Sequence, residues 1–294
     1  MFALTRILAK ERDVSEIVAP LDVLQRHMLA ALAGRLGVSG CRSDMVRATL
    51  AWARLDRDLP PIVSRFRTAG ARVAPIKGVA YATRLYTVPG DRPMTDVDIL
   101  VPPSDRKAAT SALRELGFTL HPDPALHHAS TWARGDLVID VHHGILGDGR
   151  SRVDLGAVWQ RTRPGWPDGA ERLEPADELA FHLLHMTRNR LCGPLIQVID
   201  AGRLAERDAA VDIALKRAAS WGVGAAARLA WRFVGDVLAD RETPGGVFGP
   251  RVSDVLAVRQ PPTLGKLVFD VATAGSLRQL AARVVAFGRS RLAN

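Results

Sequence analysis

The sequence predicts an α+β fold in which a small sheet lies between helical parts at both ends of the chain. Three observations lead there. Residues 14–70 and the stretch beyond about residue 175 carry apolar residues at helical spacing. Residues 73–142 instead hold short, β-branched apolar runs broken by Gly and Pro. Two of those runs also carry aspartates at alternating positions, which a buried strand accepts only for a reason.

In the leading part, Val18, Leu21, Val23, Leu24, Met28, Leu29, Leu32 and Leu36 recur at roughly helical spacing, and Gly37 with Ser39-Gly40 ends the run. Ser43-Asp44 offers an N-cap for a helix through Leu50, Trp52, Leu55 and Leu59. Pro60-Pro61 predicts a boundary there, with a separate helix from Ile62 to Ala69 stopped by Gly70. Val73 to Ile76 then reads as a strand, Lys77-Gly78 as a turn and Val79 to Tyr86 as a helix. A strand, a Gly-containing turn and a helix N-terminus together can bind an anion, because the first helical amides are unpaired and the dipole is positive there. A plain strand–turn–helix connection has the same appearance. The loop from Val88 to Pro93 delivers Arg92 ahead of the next strand.

That strand, Met94 to Val101, ends at Pro102-Pro103. Side chains alternate along it, so Asp96 and Asp98 leave one face while Val97, Ile99 and Val101 leave the other. Two carboxylates about 7 Å apart repel and lose hydration unless a cation lies between them. A divalent metal answers that need, and oxygen ligands favour Mg²⁺ or Mn²⁺. The competing reading is two solvated aspartates at a frayed strand end. A helix from Arg106 to Leu116 and a strand from Phe118 follow. Two further arms, His127 to Arg134 and Leu137 to His142, flank Gly135-Asp136, a pair suited to a two-residue hairpin turn. In the second arm Asp140 shares a face with Val138 and His142, which gives a third acid mid-strand.

From Gly147 to Gly169 the chain reads as a loop region. Helices are expected again after Glu174-Pro175, through His182, His185 and Met186, then over 195–204, 211–220, 225–239 and 264–287, with a loop at Gly245-Gly246. The division is thus 1–70 helical, 71–170 sheet-bearing core and 171–294 helical.

At 294 residues and 47% hydrophobic content, the chain has material for a large core and is not a disordered polymer. The net charge of +9 comes mainly from arginine, which suits phosphate groups, although a solvated basic face has the same composition. Cys41 and Cys192 fit neither a disulfide framework nor a zinc ribbon. Met1 to Asp13 has no long apolar region, and no apolar window spans a membrane, so cytoplasm is the expected compartment. His127-His128, His142-His143 and the His182/His185 pair raise a zinc site as a rival, but no H-E-x-x-H run appears. The last residues, Ser276 to Asn294, carry Arg278, Arg283, Arg289 and Arg291 without an acid, and read as a packed helix with a basic back.

Taken together, Lys77-Gly78, Arg92, Asp96-Val97-Asp98-Ile99-Leu100-Val101 and Asp140-Val141-His142 resemble the bacterial uncharacterised nucleotidyltransferase family of the DNA-polymerase-β-like superfamily. The resemblance covers about residues 70–145 firmly and the helical C-terminal part loosely. It implies a small mixed-sheet core flanked by the two helical parts, and transfer of an NMP group from an NTP to a hydroxyl-bearing acceptor. Asp96 and Asp98 would hold Mg²⁺ on the triphosphate. Asp140 would complete a second metal site and help deprotonate the acceptor, with His142 beside the metals. Lys77, the amides near Gly78 and Arg92 would meet the β- and γ-phosphates. One departure is Val79, where the superfamily carries Ser or Gly after the turn glycine. A small-molecule or peptide acceptor is favoured over nucleic acid, because the basic C-terminal helix has no aromatic interleaving beyond Phe287. The alternatives are a catalytically degenerate nucleotide- or partner-binding protein and a toxin-like enzyme acting on tRNA.

Overall fold

The computed structural model describes residues 20–121, 129–144, 152–207, 210–239 and 252–258, with single positions at 241, 250, 269 and 273. The region from 264 to 287, the basic segment from Ser276 to Asn294, His127-His128, Gly147, Gly149, Gly245-Gly246 and the N-terminal residues through Val18 lie outside the described residues, apart from positions 269 and 273. At the centre are β1 (Ala74–Pro75), β2 (Val97–Leu100), β3 (Thr119–His121), β4 (Ala129–Arg134) and β5 (Leu137–His142). They form one sheet in the order β1-β2-β5-β4-β3. β2 and β5 pair in parallel and the other neighbours antiparallel, so the sheet is mixed and the fold is the α+β arrangement expected. The β4–β5 hairpin turns on Gly135-Asp136, with Arg134 opposite Leu137 and Gly135 at φ +57°, a conformation that favours glycine.

Helices α1 (Leu21–Arg26), α2 (Ala30–Arg35) and α3 (Arg42–Thr68) precede the sheet. α3 corrects the expected break: it runs for 27 residues straight through Pro60 and Pro61. An interior proline costs about 3 kcal/mol and one backbone bond. The continuous helix keeps Leu55, Leu59, Ile62, Val63 and Phe66 buried as one stripe against the sheet. At about 1.5–3 kcal/mol per buried side chain, the stripe outweighs the prolines.

Within and after the sheet come α4 (Gly78–Leu85), α5 (Arg106–Glu115), α6 (Leu155–Gln160), α7 (Pro175–Arg188), α8 (Ile196–Arg207), α9 (Val211–Ser220), α10 (Gly224–Leu238) and α11 (Val252–Leu256). The expected loop at 147–169 is only partly that. Asp154 caps α6 by accepting from the Ala157 amide, Val158 and Trp159 are buried, and a two-stranded ribbon forms from β6 (Arg163–Pro164) and β7 (Glu171–Arg172). Glu174 caps α7 through its side chain, as the Glu-Pro pair suggested.

Two apolar cores result. Val97, Ile99, Val101, Ile139 and Val141 turn to one face and pack with α3 and α5. On the other side, α1 and α2 pack with α4 and with α7 to α10, joined by Ala74 and Leu100. The leading helices are therefore shared between the cores, and the polar positions of β2 and β5 face the second. Among the described residues, no helix is long and apolar enough to cross a membrane.

Candidate active site

The parallel register pairs Asp98 with Asp140 and Leu100 with His142. Paired residues on neighbouring strands leave the sheet side by side, so the two acids and the histidine converge. Their potential ligand atoms lie within 4.8 Å of one another. Asp98 is 8% exposed. Its Oδ1 accepts from Lys77 Nζ at 2.5 Å and from His142 Nε2 at 2.7 Å. Burial pushes the Asp98 carboxyl up, but the His142 hydrogen bond and the Lys77 charge override it and hold it well below the usual carboxylate range. Asp140 Oδ1 accepts from Thr131 Oγ1 at 2.6 Å, the residue opposite it on β4.

Asp96 sits one residue before β2 and is outside that compact group of three. It nevertheless feels the group: burial, then the charges of Asp98 and Asp140, raise its carboxyl above the ordinary value. A cation near these carboxylates would relieve both burdens, and the ligand atoms of Asp98, Asp140 and His142 are close enough together to hold one divalent metal.

Lys77 lies between β1 and α4 with φ +54° and ψ −129°, a left-handed-side conformation that costs a non-glycine residue about 1–3 kcal/mol. The strain aims its side chain across the sheet end at Asp98. It is not the exposed ammonium expected of a turn lysine, since only 17% of the side chain is accessible. Arg92 also differs from the expectation of a phosphate contact. Its Nε and Nη2 donate to Asp200 Oδ2 at 2.9 and 2.8 Å, and Nη1 donates to the Pro93 carbonyl at 2.6 Å. Tyr86 Oη donates to the same carboxylate at 2.7 Å, and Asp200 is fully buried. The guanidinium is thus engaged in fastening the loop before Asp96 to α8.

A family model described as uncharacterised nucleotidyltransferase matches residues 41–239. The chain belongs to this family. Nucleotidyl transfer is the general activity that membership carries. No curated protein matches the chain. Among solved structures it is similar to the antibiotic-resistance factor ANT(2'')-Ia, known from a solution structure, at 12% identity and a TM-score of 0.40, over 56% of this chain and 92% of that one.

In this nucleotidyltransferase a pocket of about 190 Å³ opens between the sheet end and α7, lined among others by Lys77, Gly78, Asp96, Asp98, His182 and His185. Burial lowers both α7 imidazoles, most strongly His185, so both are neutral. His182 Nε2 donates to the Gln197 carbonyl at 2.7 Å, and its Nδ1 has no hydrogen-bond partner among the described residues. Among the described residues, neither histidine belongs to a group of three metal-ligating side chains. The zinc reading gains nothing from them. Sequence reasoning missed Thr131 and Asp200. Thr131 was within reach, because a two-residue turn at Gly135-Asp136 sets it opposite Asp140. Asp200, 108 residues from Arg92, carried no local signal.

Proposed function

We propose that the protein is a metal-dependent nucleotidyltransferase that moves an NMP group from an NTP, with ATP as the reference donor, to a hydroxyl of a small-molecule or peptide acceptor. The observation that carries this is the convergence of Asp98, Asp140 and His142 on paired strand positions, with Asp96 adjoining. Mg²⁺ or Mn²⁺, when bound, supplies positive charge to the phosphate oxygens and to the attacking and leaving oxygens. Asp96 and Asp98 are the residues to hold it on the donor side, and Asp140 with Asp98 on the acceptor side.

The chain's own groups do the rest. Asp140, oriented by Thr131, takes the proton of the acceptor hydroxyl. The acceptor oxygen bonds to the α-phosphorus, the α–β anhydride bond breaks, and pyrophosphate departs. Lys77 exchanges Asp98 for a phosphate oxygen, while the first amides of α4, beginning at Gly78, face the anion. His142 keeps Asp98 oriented from behind. Arg92 acts through Asp200 by fixing the loop that ends in Asp96. We place the reaction in the cytoplasm, in keeping with two buried, free cysteines.

The test is the fate of label. With Mg²⁺ and a pool of hydroxyl-bearing small molecules and peptides, label at the α-phosphate should pass to an acceptor and label at the γ-phosphate should leave as pyrophosphate. Transfer of the γ-label would mean a kinase. Nucleotide binding without transfer of either label across the pool would favour the degenerate reading.

A further inference from the structure

A second, larger cavity of about 520 Å³ lies at the end of the sheet where β2 and β5 begin. It shares Met28, Arg92, Met94, Thr95 and Asp96 with the smaller pocket that holds Lys77 and Asp98. Lys77 and Asp98 line only the smaller pocket, so a ligand in the larger one meets Asp96 first. The smaller pocket offers a triphosphate its cation and helix amides, but at about 190 Å³ little beyond that. The larger one has the volume typical of a small-molecule site.

The walls define the chemistry. Ala30 and Ala31 of α2, Ala48 of α3 and Leu137 of the hairpin give an apolar lining, and the half-buried Trp52 offers a ring. Of the two cations there, Arg92 is held by Asp200, while Arg47 is largely exposed and reaches Asp44 only at 3.7 Å. Three acids line the same space, Asp44, Asp96 and Asp136, and Asp136 stands exposed at the hairpin tip with no ion pair among the described residues. A phosphate-rich acceptor would meet three carboxylates against one exposed arginine. The α1 and α2 walls also lie outside residues 41–239, the stretch the family model matches. Part of this cavity is thus built by helices beyond the shared family region.

We infer that this cavity is the acceptor site, and that it takes a compact, hydroxyl-bearing amphiphile that is neutral or cationic. Its ring or hydrocarbon body lies against Trp52, a cationic group turns toward Asp136, and its hydroxyl points to Asp96, the carboxylate that both pockets share. This rests on the nucleotidyl-transfer reading.

The experiment measures binding by calorimetry in the presence of Mg²⁺ and α,β-methylene-ATP, which blocks turnover. The probes are 2-amino-1-phenylethanol and its anionic counterpart, mandelate. Wild type should bind the aminoalcohol at least about tenfold more tightly than mandelate. Ala48→Trp, which fills the cavity, should lose about tenfold or more in aminoalcohol affinity, and Asp136→Asn at the exposed turn about threefold. Both variants should bind the nucleotide analogue as wild type does. Aminoalcohol affinity unchanged in both variants, or mandelate binding as well as the aminoalcohol, overturns the inference. A loss of nucleotide affinity in Ala48→Trp without a loss for the aminoalcohol would give the cavity to the nucleoside base. Tight binding only of a hydroxyl-bearing peptide would overturn the assigned class. Absence of Mg²⁺-dependent nucleotide binding in wild type would instead sink the underlying reading.

Discussion

Asp200→Ala tests how the loop before the aspartate strand is held. The carboxylate accepts from Arg92 Nε and Nη2 and from Tyr86 Oη, all in a fully buried setting. Burial opposes the charge of the guanidinium, and Asp200 outweighs it to keep Arg92 firmly protonated. Removing the acid strands a buried cation and a buried phenol, at about 3–5 kcal/mol for the broken ion pair. For a domain with about 5–15 kcal/mol in total, that is a large share. Urea denaturation of wild type, Asp200→Ala, Arg92→Met and the pair Arg92→Met/Asp200→Leu makes the measurement. The apolar pair should recover most of the loss, short of about 1–3 kcal/mol for the Tyr86 hydroxyl left without an acceptor. Asp200→Ala should also weaken Mg²⁺–nucleotide binding, since Arg92 leads directly into Pro93 and the loop to Asp96. A loss below about 1 kcal/mol, or a double variant as unstable as the two single losses together, would refute the clamp.

Three further outcomes are expected. His27 is buried and neutral, with Nε2 donating to the Leu256 carbonyl and Nδ1 accepting from the Leu195 amide, and burial lowers its pKa from 6.5 to about 4. Because the folded value is the depressed one, its stabilisation is full above about pH 6.5 and is lost as pH falls through about 4; the loss is about 3 kcal/mol, and the pH slope of stability over that window should shrink in His27→Gln. Thr131→Val removes the hydrogen bond to Asp140, so turnover should fall about tenfold with nucleotide affinity unchanged; equal losses in both would make Thr131 merely structural. A Cβ on Gly90 would come within 2.8 Å of Thr49 Cα, so Gly90→Ala should lower the melting temperature by several degrees, about 1–3 kcal/mol, by pushing the Arg92 loop off α3.

The part of the site that could be read from sequence is the part set by strand alternation. Asp98, Asp140 and His142 take the faces that strand parity assigns them and the β2–β5 register brings them together, whereas Asp96, one residue before β2, stands outside their group. Whatever depends on a distant partner was illegible. Arg92 reads as a free cation until Asp200 is folded against it, and Lys77 as exposed until the sheet brings Asp98 to it. The run of α3 through Pro60-Pro61 was hidden for a related reason: local propensity argues for a stop, and only burial against the sheet reverses it. The large cavity joins α1 to α3 with a hairpin tip about a hundred residues later, so no single stretch announces it.

Whether the carboxylate face binds a divalent metal for nucleotidyl transfer can be read from an Mn²⁺ titration followed by electron paramagnetic resonance. Wild type, Asp98→Asn and Asp140→Asn are compared with and without α,β-methylene-ATP. Mn²⁺ should bind wild type, more tightly with the nucleotide analogue, and each variant should lose about tenfold or more in affinity. Mn²⁺ affinity unchanged in both variants, with the proteins folded, would contradict metal binding by these carboxylates.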